Sequence, residues 1–277
     1  MHKIQIAGKG YTGPDKFEEL TQEQFIQVVT IMQQSERNPS AKWGLIPLLY
    51  AIPVKVMEQL NPVQRVELLG VTDFLYDSSK LPYKQLIQKI PVQIGNALTL
   101  HTLYGPGDGL KNLTFGEFMA AELKLESFNK GDDPAAIDEF CGILYRISDR
   151  QSKKKTDKRI AFSEPLIARY AEKVANLPVP IKTAIMLQYH GAKKLFPRLY
   201  KYVFPQPSEE ETGDDAQKKA SKSSSMTWLN AAISMANNDV TKIAQIEATT
   251  LHLTLKVLND TIKENQELQR KLASHRK

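Results

Sequence analysis

The chain contains a single cysteine, Cys141, among 277 residues. One cysteine excludes an internal disulfide framework and a cysteine-rich zinc site, and this is typical of a protein made in a reducing compartment. The five histidines are dispersed and none has an H-E-x-x-H spacing, so we expect no metal site and no cofactor. Cys141 lies on the apolar face of a predicted helix, where a small buried hydrophobe is the expected role.

Long apolar runs and catalytic motifs are also missing. No window approaches the roughly 18 apolar residues of a membrane span, so we expect a protein that does not enter a membrane. Neither a G-x-S-x-G elbow nor a G-x-x-x-x-G-K-[ST] loop occurs, and the glycine-rich run at 105–109 has no Lys and Ser/Thr to hold a phosphate. The sequence therefore predicts a protein that is not an enzyme.

Hydrophobic side chains almost disappear between Gln206 and Ser225, where two alanines are the only apolar ones. A segment with so little apolar surface cannot offset the entropy of ordering it, so we expect a flexible charged linker. The predicted organisation is a helical body over 1–205, the linker over 206–225 and a C-terminal helical tail over 226–277.

Helix start signals recur through the body. Thr21 and Thr114 each stand three residues before a Gln or Glu, and Asn61 precedes a proline. These patterns satisfy free backbone N–H groups at a helix start. The predicted fold is therefore mainly α, a multi-helix globular body. The apolar faces of its helices predict the core residues Phe25, Val28, Phe118, Phe140, Leu144 and Tyr170, and the helix after Asn61 has an apolar stripe of Val63, Val66 and Leu69.

Residues 86–104 change to a period of two, which predicts a small β-hairpin near 88–103. A two-residue Gly-Asn turn would place Val92 opposite Thr99. A three-residue loop over 95–97 would place Val92 opposite Leu100, with Ile94 opposite Leu98. We favour the second register because it gathers the apolar residues on one face. Pro91 favours an edge strand.

The tail is predicted to contain a short helix around Trp228 and a long helix from Val240 to Ser274. Its apolar seam keeps the 4-3-4 spacing of a coiled coil for fewer than three heptads, so packing against the body is as consistent with the pattern as packing against a partner. We expect the end beyond Glu264 to project into solvent. The predicted partner-binding residues are Leu251, Leu255, Leu258 and Ile262.

Positive charge is concentrated between 150 and 202, a range that contains 13 Lys or Arg and only three acidic residues. Cations alternate there with Phe196, Tyr200 and Tyr202, and such a pattern can pair with phosphates and stack on bases. The alternative is that the rings belong to the core and the cations form a solvated face. The candidate nucleic-acid-binding residues are Lys153, Lys154, Lys155, Lys158, Arg159, Lys193, Lys194, Arg198 and Lys201.

The order of signals resembles a known group of proteins. FEELTQEQF near the start, the small hairpin, LTFGEF, EFCGILYR, a proline-punctuated helical stretch and Trp228 before a long helix are similar to helical proteins encoded in the tail-assembly region of tailed bacteriophages and prophages, near the tape-measure gene. The resemblance implies a tail assembly chaperone or a minor virion component that acts through protein contacts. It implies virion or tail proteins as partners, with a homo-oligomer left open, in the host cytoplasm during assembly or in the virion. A nucleic-acid-binding protein is the alternative.

Overall fold

The computed structural model describes residues 1–6, 8–93, 100–148, 157–205 and 225–274. The fold is mainly α-helical with two small antiparallel sheets, as the sequence predicts. The chain groups into two compact units, residues 1–88 with 177–193 and residues 89–176 with 194–277. The C-terminal helices belong to the second unit. The predicted linker lies outside the described residues, apart from Ser225.

In chain order, the helices are α1 (Gln22–Arg37), α2 (Leu45–Tyr50), α3 (Val54–Glu58), α4 (Pro62–Leu69), α5 (Phe115–Lys130), α6 (Ala136–Leu144), α7 (Ile167–Val174), α8 (Val179–Lys193), α9 (Phe196–Leu199), α10 (Ser225–Met235), α11 (Ile243–Ala248) and α12 (Leu251–Ser274). The strands are β1 (His2–Ile6), β2 (Lys9–Gly13), β3 (Lys89–Gln93), β4 (Leu100–Tyr104) and β5 (Arg146–Ile147). Short 3-10 turns join several of these elements.

The first unit is built around α1, which begins at the predicted capping box of Thr21. Phe25 and Val28 of this helix are fully buried, as expected. Helix α8 packs on α1, and the amide of Gln33 donates a hydrogen bond of 2.8 Å to the Thr183 hydroxyl. A glycine is needed at position 191 because α8 passes close to the backbone of Pro82. A Cβ on Gly191 would lie 2.1 Å from the carbonyl oxygen of Pro82.

Two features of the first unit differ from the sequence prediction. Helix α4 begins at the predicted Asn61 cap, but Val63 and Val66 of its stripe are exposed by 66% and 65%. A cap fixes where a helix starts, but burial requires a covering element, and no described element covers this face of α4. The hairpin of β1 and β2 was not predicted, although Ile4 and Ile6 alternate with polar residues and are buried.

The second unit is built around α5, which packs against α6, α10, α11 and α12. Its predicted core residues are buried: Phe118 and Phe140 are fully enclosed, and Leu144 and Tyr170 are nearly so. Helices α6 and α7 cross closely at Gly142, where a Cβ would lie 2.7 Å from the backbone carbonyl carbon of Tyr170. Cys141 is buried on α6, as expected.

The predicted hairpin forms, but in a different register. Strand β3 is the edge strand of the order β3-β4-β5, as Pro91 indicated. Val92 lies opposite His101, so both predicted pairings of Val92, with Leu100 and with Thr99, are wrong. The observed register instead places Ile90 opposite Leu103, and both are buried. The predicted loop over 95–97 lies outside the described residues.

The expected single helix from Val240 to Ser274 is broken at Thr249. Thr249 has an extended backbone, and its carbonyl oxygen accepts a 2.8 Å hydrogen bond from the N–H of Phe115. The N–H of Leu251 donates in return to the carbonyl of Leu113 at 2.8 Å. The break therefore exists because these backbone groups pair with Leu113 and Phe115, at the start of α5, rather than within their own helix. The two hydrogen bonds hold the start of α12 against the start of α5 in the second unit.

Candidate binding cavity in the second unit

A cavity of about 810 Å³ lies in the second unit, between α5, the segment 157–164, α10 and α11. Met119, Ala120 and Leu123 of α5 form an apolar wall, and Leu229 of α10 and Ala244 of α11 continue it. Leu123 and Leu229 are 48% and 41% exposed, so they lie at the mouth of the cavity. The rest of the lining includes six charged residues, namely Glu117, Arg146, Asp157, Arg159, Glu164 and Glu247.

One wall of the cavity contains a buried network of charges. The two carboxylate oxygens of Glu117 each accept a hydrogen bond from a guanidinium: one from Arg146, the other from Arg159 at 3.1 Å. Arg159 is also paired with Asp157 at 2.7 Å. The side chains of Glu117, Arg146 and Arg159 are at most 3% exposed.

Both guanidiniums also donate to backbone carbonyls. Arg146 donates to the carbonyls of Ile143 and Ile160, and Arg159 donates to those of Leu144 and Asn112. Burial lowers the pKa of Arg146, with the negative charge of Glu117 opposing it. For Arg159 burial acts in the same direction, but Glu117 and Asp157 outweigh it and its pKa is raised.

The network is neutral as a whole, with two arginines against two carboxylates. Since both oxygens of Glu117 are held by guanidiniums, this carboxylate is poorly placed to accept a proton from a substrate. Its arrangement is that of a structural clamp between α5, β5 and the segment 157–162. Arg146 adds contacts with the rings of Phe162 and Tyr170, 5.8 and 5.9 Å from their centroids.

Two further carboxylates line the cavity without a cation partner among the described residues. Glu164 is exposed and Glu247 is half-buried. Burial raises the pKa of Glu247, and the negative charge of Glu164 raises it further. With these two carboxylates the lining has a net charge of −2, because the two arginines face four acidic residues. The cavity therefore attracts positive charge.

The candidate nucleic-acid residues are not brought together as expected. Arg159 is 4% exposed and belongs to the buried network, so it is not available to a phosphate; this part of the prediction is wrong. Phe196 and Tyr200 are buried in the second unit, where Tyr200 donates a 2.6 Å hydrogen bond to Nδ1 of His252, so these rings cannot stack on bases. Lys158, Lys194, Arg198 and Lys201 are exposed, Lys193 is half-buried, and Lys153, Lys154 and Lys155 lie outside the described residues.

The candidate partner-binding residues of α12 divide into two groups. Leu251 and Leu255 are fully buried within the second unit, so they are core residues and not a free surface. Leu258 and Ile262 are half-buried. From Lys263 to Ser274 every residue is exposed, as predicted for the end beyond Glu264. The exposed apolar residues in that part are Leu268 and Leu272, at 57% and 56%.

Sequence reasoning missed the charge network because Glu117 already had a local role. It is the third residue of α5 and completes the capping box with Thr114, because its side chain accepts a hydrogen bond from the N–H of Thr114. A usable signal was Arg146, which follows a run of apolar residues in EFCGILYR and therefore needs a buried partner.

No group of three His, Cys, Asp or Glu in the described ranges is placed to hold a metal ion. No helix in the described part of the chain is long and apolar enough to cross a membrane. Comparisons with protein-family models, with curated proteins and with solved structures found no match.

Proposed function

We propose that the protein is a non-enzymatic assembly protein that acts by binding other proteins, in the building of a phage tail or virion that the resemblance implies. The observation that carries the proposal is the outer half of α12. Leu268 and Leu272 lie one helical turn apart on this half and are more than half exposed. Nothing in the described part of the chain covers them.

The energetics favour a role for these leucines in association. Covering the exposed part of each side chain contributes on the order of 1 kcal/mol. The surrounding positions carry charges of both signs, including Glu264, Glu267 and Lys271, which suits the flanks of a helix-to-helix contact. A catalytic role is less well supported, because Glu117 is held by two guanidiniums in the described cavity.

The proposed function is tested by coexpression with phage tail and virion proteins. The double variant Leu268→Ser/Leu272→Ser should fold normally and lose co-purification with its partner. Val63→Ser/Val66→Ser is the matched control, because these two residues are equally exposed but lie on α4 of the first unit. Loss of binding by the control and retention by the α12 variant would place the interface elsewhere and contradict the proposal.

A role in nucleic-acid binding would require a different surface. The exposed cations Lys194, Arg198 and Lys201 remain available to phosphates, but the neighbouring rings of Phe196 and Tyr200 are buried. We therefore expect only weak binding of DNA or RNA at physiological salt. Tight binding that weakens steeply with salt concentration would favour the nucleic-acid alternative.

A further inference from the structure

The end of α12 and the cavity have complementary chemistry. Residues 268–277 read LQRKLASHRK, with two leucines, four Lys or Arg and no acidic residue. The cavity has an apolar wall, leucines at its mouth and two carboxylates, Glu164 and Glu247, without a cation partner among the described residues. An amphipathic basic helix end is therefore the kind of ligand that this cavity fits.

The chain does not fill its own cavity with this end. Leu268 and Leu272 remain exposed by 57% and 56%, and the whole stretch from Lys263 to Ser274 is exposed. A continuous helix of 24 residues is about 36 Å long, and it cannot turn back without a break. The end of α12 can therefore reach such a cavity only in another molecule.

We propose that the end of α12 of one copy of this chain docks into the cavity of a second copy. The proposal rests on the proposed function and names its partner as the chain itself. The leucines of the incoming helix contact Leu123 and Leu229, and its cations lie near Glu164 and Glu247. A small organic cation would leave those leucines uncovered, and a nucleic acid would be repelled by the carboxylates.

This contact joins two different surfaces, so it is heterologous. Each copy that donates its helix end still presents an empty cavity, and each copy that accepts one still presents a free helix end. Such contacts close into a ring when the rotation between copies allows it and otherwise form open filaments. The wild-type chain should therefore self-associate, as a reciprocal dimer if the rotation is 180° and otherwise as larger rings or filaments, and these assemblies should weaken as salt concentration rises.

The test mixes two variants of the full chain that lack opposite halves of the contact. The tail variant is Leu268→Ser/Leu272→Ser, and the cavity variant is Glu164→Lys/Glu247→Lys. Light scattering after gel filtration measures the mass of each variant alone and of the mixture, and circular dichroism checks that each is folded. A second cavity variant, Ala244→Trp, narrows the cavity without changing its charge and serves if the lysine variant does not fold.

Each variant alone should associate at least about tenfold more weakly than wild type, because the tail variant loses the two covered leucines and the cavity variant repels the incoming cations. The mixture should form a 1:1 dimer and nothing larger, because only one intact contact remains. The control Val63→Ser/Val66→Ser should assemble like wild type. Self-association of the cavity variant alone as strong as that of wild type, or no dimer in the mixture, would overturn the proposal.

A monomeric wild type would also overturn the inference, while the proposed function would stand if coexpressed tail proteins still bind through Leu268 and Leu272. Loss of both self-association and partner binding would reject both. The two ideas therefore fail in distinguishable ways.

Discussion

Replacing Glu117 by Gln should destabilise the second unit more than any surface change of charge. Glu117 is nearly fully buried and its two oxygens accept from Arg146 and Arg159. The substitution keeps the shape but removes the charge. Arg159 keeps its pairing with Asp157 at 2.7 Å, whereas Arg146 is left with neutral carbonyl acceptors. The cost therefore falls mainly on an uncompensated Arg146.

Removing one partner of a buried ion pair typically costs about 3–5 kcal/mol. With a urea dependence of about 2 kcal/mol per molar, the unfolding midpoint of the second unit should fall by about 2 M. The matched control is Glu126→Gln on the same helix. Glu126 pairs with Lys130 four residues on, and such a surface pair contributes about 0.5 kcal/mol or less.

Tryptophan fluorescence can separate the two units, because Trp43 lies in the first and Trp228 in the second. In a Trp43→Phe background the emission of Trp228 reports the second unit alone. Trp228 is 5% exposed and packs edge-on against Phe118, so its emission should change on unfolding. A midpoint shift for Glu117→Gln as small as that for Glu126→Gln would refute the reasoning that the network is desolvated and held together by this carboxylate.

Three further outcomes are expected. Phe140→Ala should cost about 3–5 kcal/mol in urea unfolding, because its side chain is fully buried, and a near-neutral change would contradict its place in the core. Leu268→Ser/Leu272→Ser should leave the free energy of unfolding measured in urea within about 0.5 kcal/mol of wild type, because these exposed residues do not stabilise the fold, and a large loss would place them in the core. Glu247→Gln should raise stability slightly at pH 7 and have little effect below the ordinary carboxyl pKa. The pKa of Glu247 is raised in the folded state, so folding is favoured while the group is protonated and this gain is lost as pH rises through the folded pKa. Thermal unfolding at pH 7 measures this effect, and a lower stability of Glu247→Gln than of wild type would contradict the sign.

The local signals of the sequence predicted local structure well. The capping boxes at Thr21 and Thr114 start α1 and α5 at the expected residues, since a cap depends only on neighbours along the chain. The apolar face of α1 is buried because α8, a helix of 15 residues, packs on it. The same reasoning was wrong for Val63 and Val66, because α4 has only eight residues and no described element covers their face.

Features set by distant contacts were not predictable from local patterns. The hairpin register depends on Leu103, which also pairs with Ile147 of β5, and that strand lies more than 40 residues further along the chain. The break at Thr249 depends on hydrogen bonds with Leu113 and Phe115, at the start of α5. The charge network joins Glu117 to Arg159 across 42 positions. A single sequence shows each of these residues but does not show which pairs meet.

The outer half of α12 shows why exposed leucines indicate association. An isolated helix of about a dozen residues is marginal in water, so this half depends on its continuity with the buried first turns around Leu251 and Leu255. Leu268 and Leu272 make no contribution to that anchoring, since both are exposed, and an apolar residue there favours nonspecific association. Polar residues at these positions would maintain the helix equally well. Their apolar character is therefore not required by the stability of this fold, and the proposed contact with another molecule would account for it.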